Sequence, residues 1–375
     1  RYAQLIKNFD AHTFKHKLVP FRSSEDGATN GDTDRIRNFA VARQTGTTYS
    51  IYGLGRISAS DSGAEVFRKD LTTGAANDLD DADWATPTNN QGTTGATIDY
   101  NLFVFYRKTG LIYGARDGSN IWAFSPTGAA FANSHQALTY TIIGQGLVHS
   151  KDDILYIPYY NNAGAAGAKS FIAKNNNGSW TTAALTLPDH LIPVSISEYG
   201  NDLAIACQPA SGIGESVVYL WNRDETTTVL SESIPWGEGN LTILEEVEGF
   251  LIGVSYTGIT NATANTAIEP KAVFKYYAGS KPITFLELVN EVVFDNDPND
   301  TPLFKQKVNN YLYFVMKITL NSVIHHGVWK VGRTKAGTFS VVFDRSWNND
   351  TVPVAADEVF GFHSVGDYML IAYND

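Results

Sequence analysis

Short apolar runs recur along the chain, each bracketed by turn residues, at a spacing of about 50 residues. Seven stand out: Tyr49–Gly55, Leu102–Tyr106, Ile154–Tyr160, Asp202–Gln208, Phe250–Tyr256, Tyr311–Lys317 and Tyr368–Asn374. A partly apolar strand precedes most of them across a tight turn. Examples are Leu191–Tyr199 before Gly200-Asn201, Leu241–Val247 before Glu248-Gly249, Leu303–Val308 before Asn309-Asn310 and Val359–Val365 before Gly366-Asp367. Gly, Asn and Asp tolerate the positive φ that such hairpin turns need. A third strand follows in the same order, as in Glu65–Lys69, Ile121–Phe124, Ser170–Ala173, Val217–Trp221, Val273–Tyr277 and Val328–Val331. A fourth closes the unit, as in Thr181–Leu187, Val229–Ile234 and Phe339–Phe343.

Four strands per repeat of this length predict an all-β chain folded as a single β-propeller of about seven four-stranded blades over residues 1–375. The last repeat stops after its second strand. Gln4–Phe9 and Lys17–Phe21 read as the missing third and fourth strands. The N-terminal hairpin, about 1–22, is thus expected to pair with the C-terminal strands, about 358–375, and close the ring. Such pairing removes open sheet edges that would otherwise template aggregation. Phe285–Val292 is the one helix-like segment, and its spacing suits strand and turn better.

Composition narrows the function classes. Charged residues make up only 18% of the 375, so Asn, Thr, Ser and Gly carry the polar surface. The net charge of −11, without a basic stripe, argues against nucleic acid as a partner. No run reaches the roughly 18 apolar residues of a membrane span, so no membrane insertion is expected. The single cysteine, Cys207, lies in an apolar run and reads as a buried small hydrophobe.

Candidate chemistry is sparse. Ser24-Glu25-Asp26-Gly27-Ala28-Thr29 approaches a sialidase Asp-box, but it has the wrong spacing and occurs once. Two acidic clusters, Asp295–Asp300 and Asp78, Asp80, Asp81 and Asp83, lack the Gly and terminal Glu of an EF-hand loop and read as solvated turns. His325 and His326 are neighbours on one strand edge and would face opposite sides. His12 and His16 fall in the closing hairpin. Glu245, Glu246 and Glu248 read as solvated acids. Aromatics beside turns, namely Tyr159, Tyr160, Trp180, Trp236 and Trp347, are candidate sugar-stacking platforms or packing between blades. Sequons stand at Asn177, Asn240, Asn261, Asn299 and Asn349. No catalytic, cofactor-binding or metal-ligating residue is assigned, and no cofactor is expected.

The opening segment, with Phe9-Asp10, Leu18, Pro20, Arg22-Ser23 and Glu25, resembles the start of β-propeller proteins encoded by tailed bacteriophages. That resemblance implies a tail or virion-surface structural protein and carries over no catalytic residue. The expected function is therefore a non-enzymatic structural or adhesion protein at the virion or extracellular surface. Its expected partners are other tail proteins or copies of itself, with a host glycan as candidate ligand. Two alternatives stay open. One is a glycan-active hydrolase or lyase on host-surface polysaccharide, which needs carboxylates or a His/Tyr/Arg set converging where the inner strands meet. The other is a cell-surface filament or adhesin subunit.

Overall fold

In the computed structural model, the regular structure of the described residues is β-strand, without helix. The structure describes residues 17–18, 38–45, 48–55, 65–72, 85–90, 98–127, 130–212, 214–225, 230–257, 271–280, 283–293, 305–308, 310–320, 323–334, 336–346, 359–365 and 368–373. The chain divides into two compact units. One comprises Arg1–Thr139 with Ala355–Asp375, the other Tyr140–Val354.

In the first unit, β1 (Lys17–Leu18) belongs to a sheet completed at the far end of the chain. Next come β2 (Asn38–Thr45), β3 (Thr48–Gly55), β4 (Glu65–Thr72) and β5 (Ala85–Asn90), a four-stranded antiparallel meander. A second meander holds β6 (Ile98–Tyr106), β7 (Leu111–Arg116), β8 (Asn120–Ser125) and β9 (Ala130–Ala137).

The second unit has four sheets. The first is made of β10 (Ile142–Ile143), β11 (Leu147–Val148), β12 (Leu155–Tyr160), β13 (Ser170–Asn176) and β14 (Ser179–Leu187), with β10 and β11 sharing one edge of β12. The next is β15 (Leu191–Tyr199), β16 (Asp202–Pro209), β17 (Glu215–Trp221) and β18 (Leu230–Glu238). Then follow β19 (Asn240–Val247), β20 (Phe250–Thr257), β21 (Lys271–Ser280) and β22 (Ile283–Val293). The last is β23 (Lys305–Val308), β24 (Tyr311–Leu320), β25 (Val323–Arg333) and β26 (Phe339–Ser346). β27 (Val359–Val365) and β28 (Tyr368–Tyr373) return to the first unit and pair with β1 in the order β1-β28-β27. Most of the predicted strands are present, and Phe285–Val292 lies in a strand, as its spacing suggests.

Two expectations need correction. Leu102–Tyr106 is the end of a first strand, β6, and the second strand of that sheet is Leu111–Arg116. Gly114 interrupts that apolar run because Trp122 on β8 lies over it: a Cβ there would stand 2.0 Å from the indole Cζ2. Secondly, Lys17–Leu18 runs parallel to β28 and sits directly against it, at the third place of the sheet rather than the fourth. β28 is thus paired on both sides, with β27 on one and Lys17–Leu18 on the other. Gln4–Phe9 lies outside the described residues.

Successive sheets bury their faces against each other. Ile243, Val247, Ile252 and Val254 pack on Leu312, Phe314 and Val331 of the next sheet. Leu241, Leu244 and Leu251 pack instead on Ala204, Ala206 and Val218 of the preceding one. The middle strands are therefore covered on both faces and lose polar alternation: every residue of Leu155–Tyr160 is buried.

Cys207 is wholly buried in β16, and burial pushes its thiol up from the usual range. The native chain should leave this thiol unmodified by a disulfide reagent at about pH 8, with one equivalent reacting only after unfolding in guanidinium. Fast stoichiometric reaction of native protein would contradict the burial. Among the described residues, no helix is long and apolar enough to cross a membrane.

Candidate active site

The opening strands β15, β19 and β23 of three consecutive sheets lie side by side. β19 spends one edge on β20, so its other edge presents backbone groups that need partners. Serines from β15 meet them. The Leu244 N–H donates to Ser195 Oγ at 3.4 Å, and the Glu246 N–H donates to Ser197 Oγ at 3.0 Å. Lys305 of β23 meets the carbonyls. Its Nζ donates to Ile196 O at 2.9 Å, to Leu244 O, and to Glu245 Oε2 at 3.0 Å. Three N–H donors thus find three acceptors on two neighbouring strands.

Glu245 is the centre of this arrangement. Oε1 accepts from Ser197 Oγ at 3.0 Å while Oε2 faces the ammonium. The Lys305 side chain is 8% exposed and that of Glu245 is 19% exposed. The cation is therefore closed in, while the carboxylate keeps a face toward solvent. A partly withdrawn carboxylate needs such a counter-charge.

The polar band continues along the same strands. Glu246 pairs with Lys307 and accepts from the Gly249 N–H at 2.5 Å. Glu248 accepts from the Asn310 side chain. Glu198 of β15 takes the Ser150 N–H and, at 2.5 Å, its hydroxyl. Glu248 adopts φ +53°, an uncommon conformation for a residue with this side chain, in a two-residue turn with Gly249 at φ +85°. Such backbone concentrates at sites that the surrounding structure holds in place. Glu245, Glu246 and Glu248 are thus partnered, not merely solvated acids. Each owes this to a residue about 48–62 positions away in sequence, a separation that local reading does not reach.

A second polar cluster joins the sheet of β12 to that of β17. His149 is fully buried, with Nδ1 3.0 Å from Asp152 Oδ1 and 2.9 Å from an Arg223 terminal nitrogen. Arg223 also pairs with Asp152 and donates to Asn201 O at 2.9 Å. Tyr156 packs edge-on against Trp221, and burial, with the Asp152 charge adding to it, pushes its hydroxyl up. A histidine–carboxylate pair is a familiar proton-transfer device. Here His149 Nε2 is sealed in without a hydrogen-bond partner, so no substrate proton reaches it. The cluster ties two sheets together.

The other sequence candidates fare differently. Tyr159, Tyr160 and Trp236 are buried and Trp180 is half-buried, so these turn-adjacent rings pack inward; they are not sugar platforms. Burial raises the Tyr159 hydroxyl to about 12, and it donates to Thr182 O at 2.9 Å. His325 and His326 lie within β25, opposite Ile318 and Lys317. Asn177 is an exposed hairpin tip, whereas Asn240 opens β19 with its Oδ1 buried. Residues 24–29, 78–83 and 295–300, along with His12, His16, Trp347, Asn261, Asn299 and Asn349, lie outside the described residues. Among the described residues no group of three His, Cys, Asp or Glu side chains is placed to hold a metal.

No known family model matches the chain, and no curated protein does. Solved structures do. A hypothetical selenium-binding protein from Sulfolobus tokodaii is 10% identical, with 76% of this chain and 70% of that one covered at a TM-score of 0.50. A structure from a study of two prolyl endopeptidases is also 10% identical, with 93% of this chain and 46% of that one covered at a TM-score of 0.50. Weaker matches at 10–13% identity include a putative 6-phosphogluconolactonase from Bacteroides uniformis, a GH43 glycoside hydrolase, a puromycin hydrolase and a levansucrase mutant of B. megaterium. The expectation of a non-enzymatic chain is corrected to this extent: these neighbours are named as enzymes, and at such identity they give this chain neither an activity nor a substrate. Nothing among the matches bears on a phage origin. What they establish is the fold, an all-β, propeller-like arrangement of antiparallel sheets.

Proposed function

We propose that the chain is a glycan-active hydrolase on a closed, seven-bladed propeller, with Glu245 as its principal catalytic carboxylate. The observation that carries this reading is the Ser197–Glu245–Lys305 centre, in which a carboxylate is fixed by two neighbouring strands and still partly open. Glycoside hydrolysis needs two carboxylates flanking one sugar bond. Glu245 serves as base or nucleophile, and the second carboxylate is sought in Glu198 on the neighbouring strand β15. A fixed carboxylate costs no reorganisation when charge develops on the sugar, which is the usual source of electrostatic rate enhancement.

The fold part of the proposal has its own support. The described strands form seven sheets that follow one another in chain order. Lys17–Leu18 joins the sheet of the last strands, as a ring closed by its own termini requires. The whole of 1–375 then forms one domain, and the polar band of β15, β19 and β23 lies on strands that line the ring axis.

The test is release of reducing ends from a panel of neutral and acidic polysaccharides. Wild type should cleave at least one member, and Glu245→Gln should lose about 100-fold or more of that rate. Thermal unfolding of the variant shows whether the fold persists. Failure of wild type on the whole panel, or full activity of folded Glu245→Gln, overturns the proposal.

A further inference from the structure

Beyond the polar band, the turn at Glu248-Gly249 leads into an unusual arrangement of a cation on aromatic rings. Phe250 pairs with Val247, two residues past Glu245 and so about 7 Å along the strand. Paired residues and i, i+2 neighbours share a sheet face, so Glu245, Val247 and Phe250 all point toward the sheet of β23–β26. From that sheet, the Arg333 guanidinium lies 4.4 Å from the Phe250 ring centre and 5.5 Å from that of Phe339. The two rings meet edge-on at 5.2 Å, and Tyr276 backs Phe339 at 4.6 Å. The rings are half-buried and Arg333 is exposed.

Arg116 and Arg223 each end on a carboxylate, as do Lys174, Lys305 and Lys307. Arg333 ends on none among the described residues, in a chain with 39 acids against 28 Lys and Arg. Its guanidinium carbon lies over two apolar ring faces, contacts that limit the freedom it would lose on meeting a planar anion. A guanidinium in that state is suited to a bidentate carboxylate.

We infer that Arg333, stacked on Phe250 and Phe339, is a binding subsite for the carboxylate of a uronic-acid residue, so that the glycan taken by this chain is acidic. The inference rests on the glycan-hydrolase reading for its ligand class, and it adds the substrate charge. The rings that fix Arg333 also offer apolar edges to the C–H face of the same sugar.

Isothermal titration of the full chain with tri-galacturonate, maltotriose and penta-glutamate tests this at low and moderate salt. Wild type should bind tri-galacturonate and bind neither of the others comparably. Arg333→Gln should weaken tri-galacturonate by about tenfold or more. Arg333→Lys should recover little of it, because an ammonium cannot make the forked contact. Phe250→Ala should weaken it too, by releasing the guanidinium. Arg333 is exposed, so the two Arg333 variants should keep the wild-type melting temperature within a few degrees. Unchanged binding by Arg333→Gln overturns the subsite. Equal binding of maltotriose or penta-glutamate overturns its assignment to an acidic sugar. If Arg333→Gln loses tri-galacturonate while folded Glu245→Gln cleaves normally, the subsite stands and the catalytic proposal falls.

Discussion

Lys305→Met is expected to destabilise the chain by about 3–5 kcal/mol, the cost of breaking a buried ion pair from one side. Met keeps the length and apolar stem of Lys, so packing is largely retained. What disappears is the ammonium that satisfies Ile196 O, Leu244 O and Glu245 Oε2 together. Ile196 O then loses this donor, Leu244 O keeps only the Ser195 hydroxyl at 3.5 Å, and Glu245 is left partly withdrawn from water without its counter-charge. The exposed counterpart sets the scale. Lys307 pairs with Glu246 from a side chain 39% exposed, and Lys307→Met should cost less than about 1 kcal/mol. Urea unfolding followed by circular dichroism measures both. Adding Glu245→Gln to Lys305→Met should cost less than the two changes summed, because each removes the other's reason for being costly. Equal, small effects of Lys305→Met and Lys307→Met would mean that the inner-strand pair is solvated after all.

The second large effect concerns Trp236 and Gly253. Trp236, on β18, is 1% exposed and lies over the bare Cα of Gly253 on β20 of the next sheet. A Cβ at position 253 would stand 2.4 Å from the indole Cζ2 and 2.9 Å from Leu241 Cδ1, so neither side has room to give. Gly253→Ala should cost about 1–3 kcal/mol by overpacking. Trp236→Ala should cost about 3–5 kcal/mol by leaving a cavity between sheets. In the Trp236→Ala background, Gly253→Ala should cost much less, since only Leu241 Cδ1, at 2.9 Å, then stands against the added methyl. The same urea measurement gives the coupling. Additive costs would show that the indole does not rest on Gly253.

Much of the fold was legible because burial on both faces writes itself as continuous apolar runs: Asp202–Gln208, Phe250–Tyr256 and Tyr311–Lys317 all mark second strands. The reading slipped at Leu102–Tyr106 because its neighbour Leu111–Arg116 is broken by Gly114, whose bareness is explained only by Trp122 across the ladder. The turn at Glu248-Gly249 was also legible, Gly249 supplying the positive φ that hairpins need. The candidate site was not legible. Lys305 and Glu245 stand 60 residues apart, and Phe250 meets Arg333 from another sheet. Nothing in local pattern says which strands of successive sheets are neighbours or which face of a turn-adjacent ring is covered. Tyr159 and Trp236 looked available for that reason, yet both are buried.

The most direct measurement is a crystal structure of the Glu245→Gln chain soaked with an oligosaccharide drawn from whichever polysaccharide the wild type cleaves. The expected result is a glycosidic oxygen or anomeric carbon within hydrogen-bonding or attack distance of the residue 245 side chain, with Lys305 still on Ile196 O and Leu244 O. A sugar bound elsewhere, with the inner-strand band unvisited, would contradict the assignment of catalysis to Glu245.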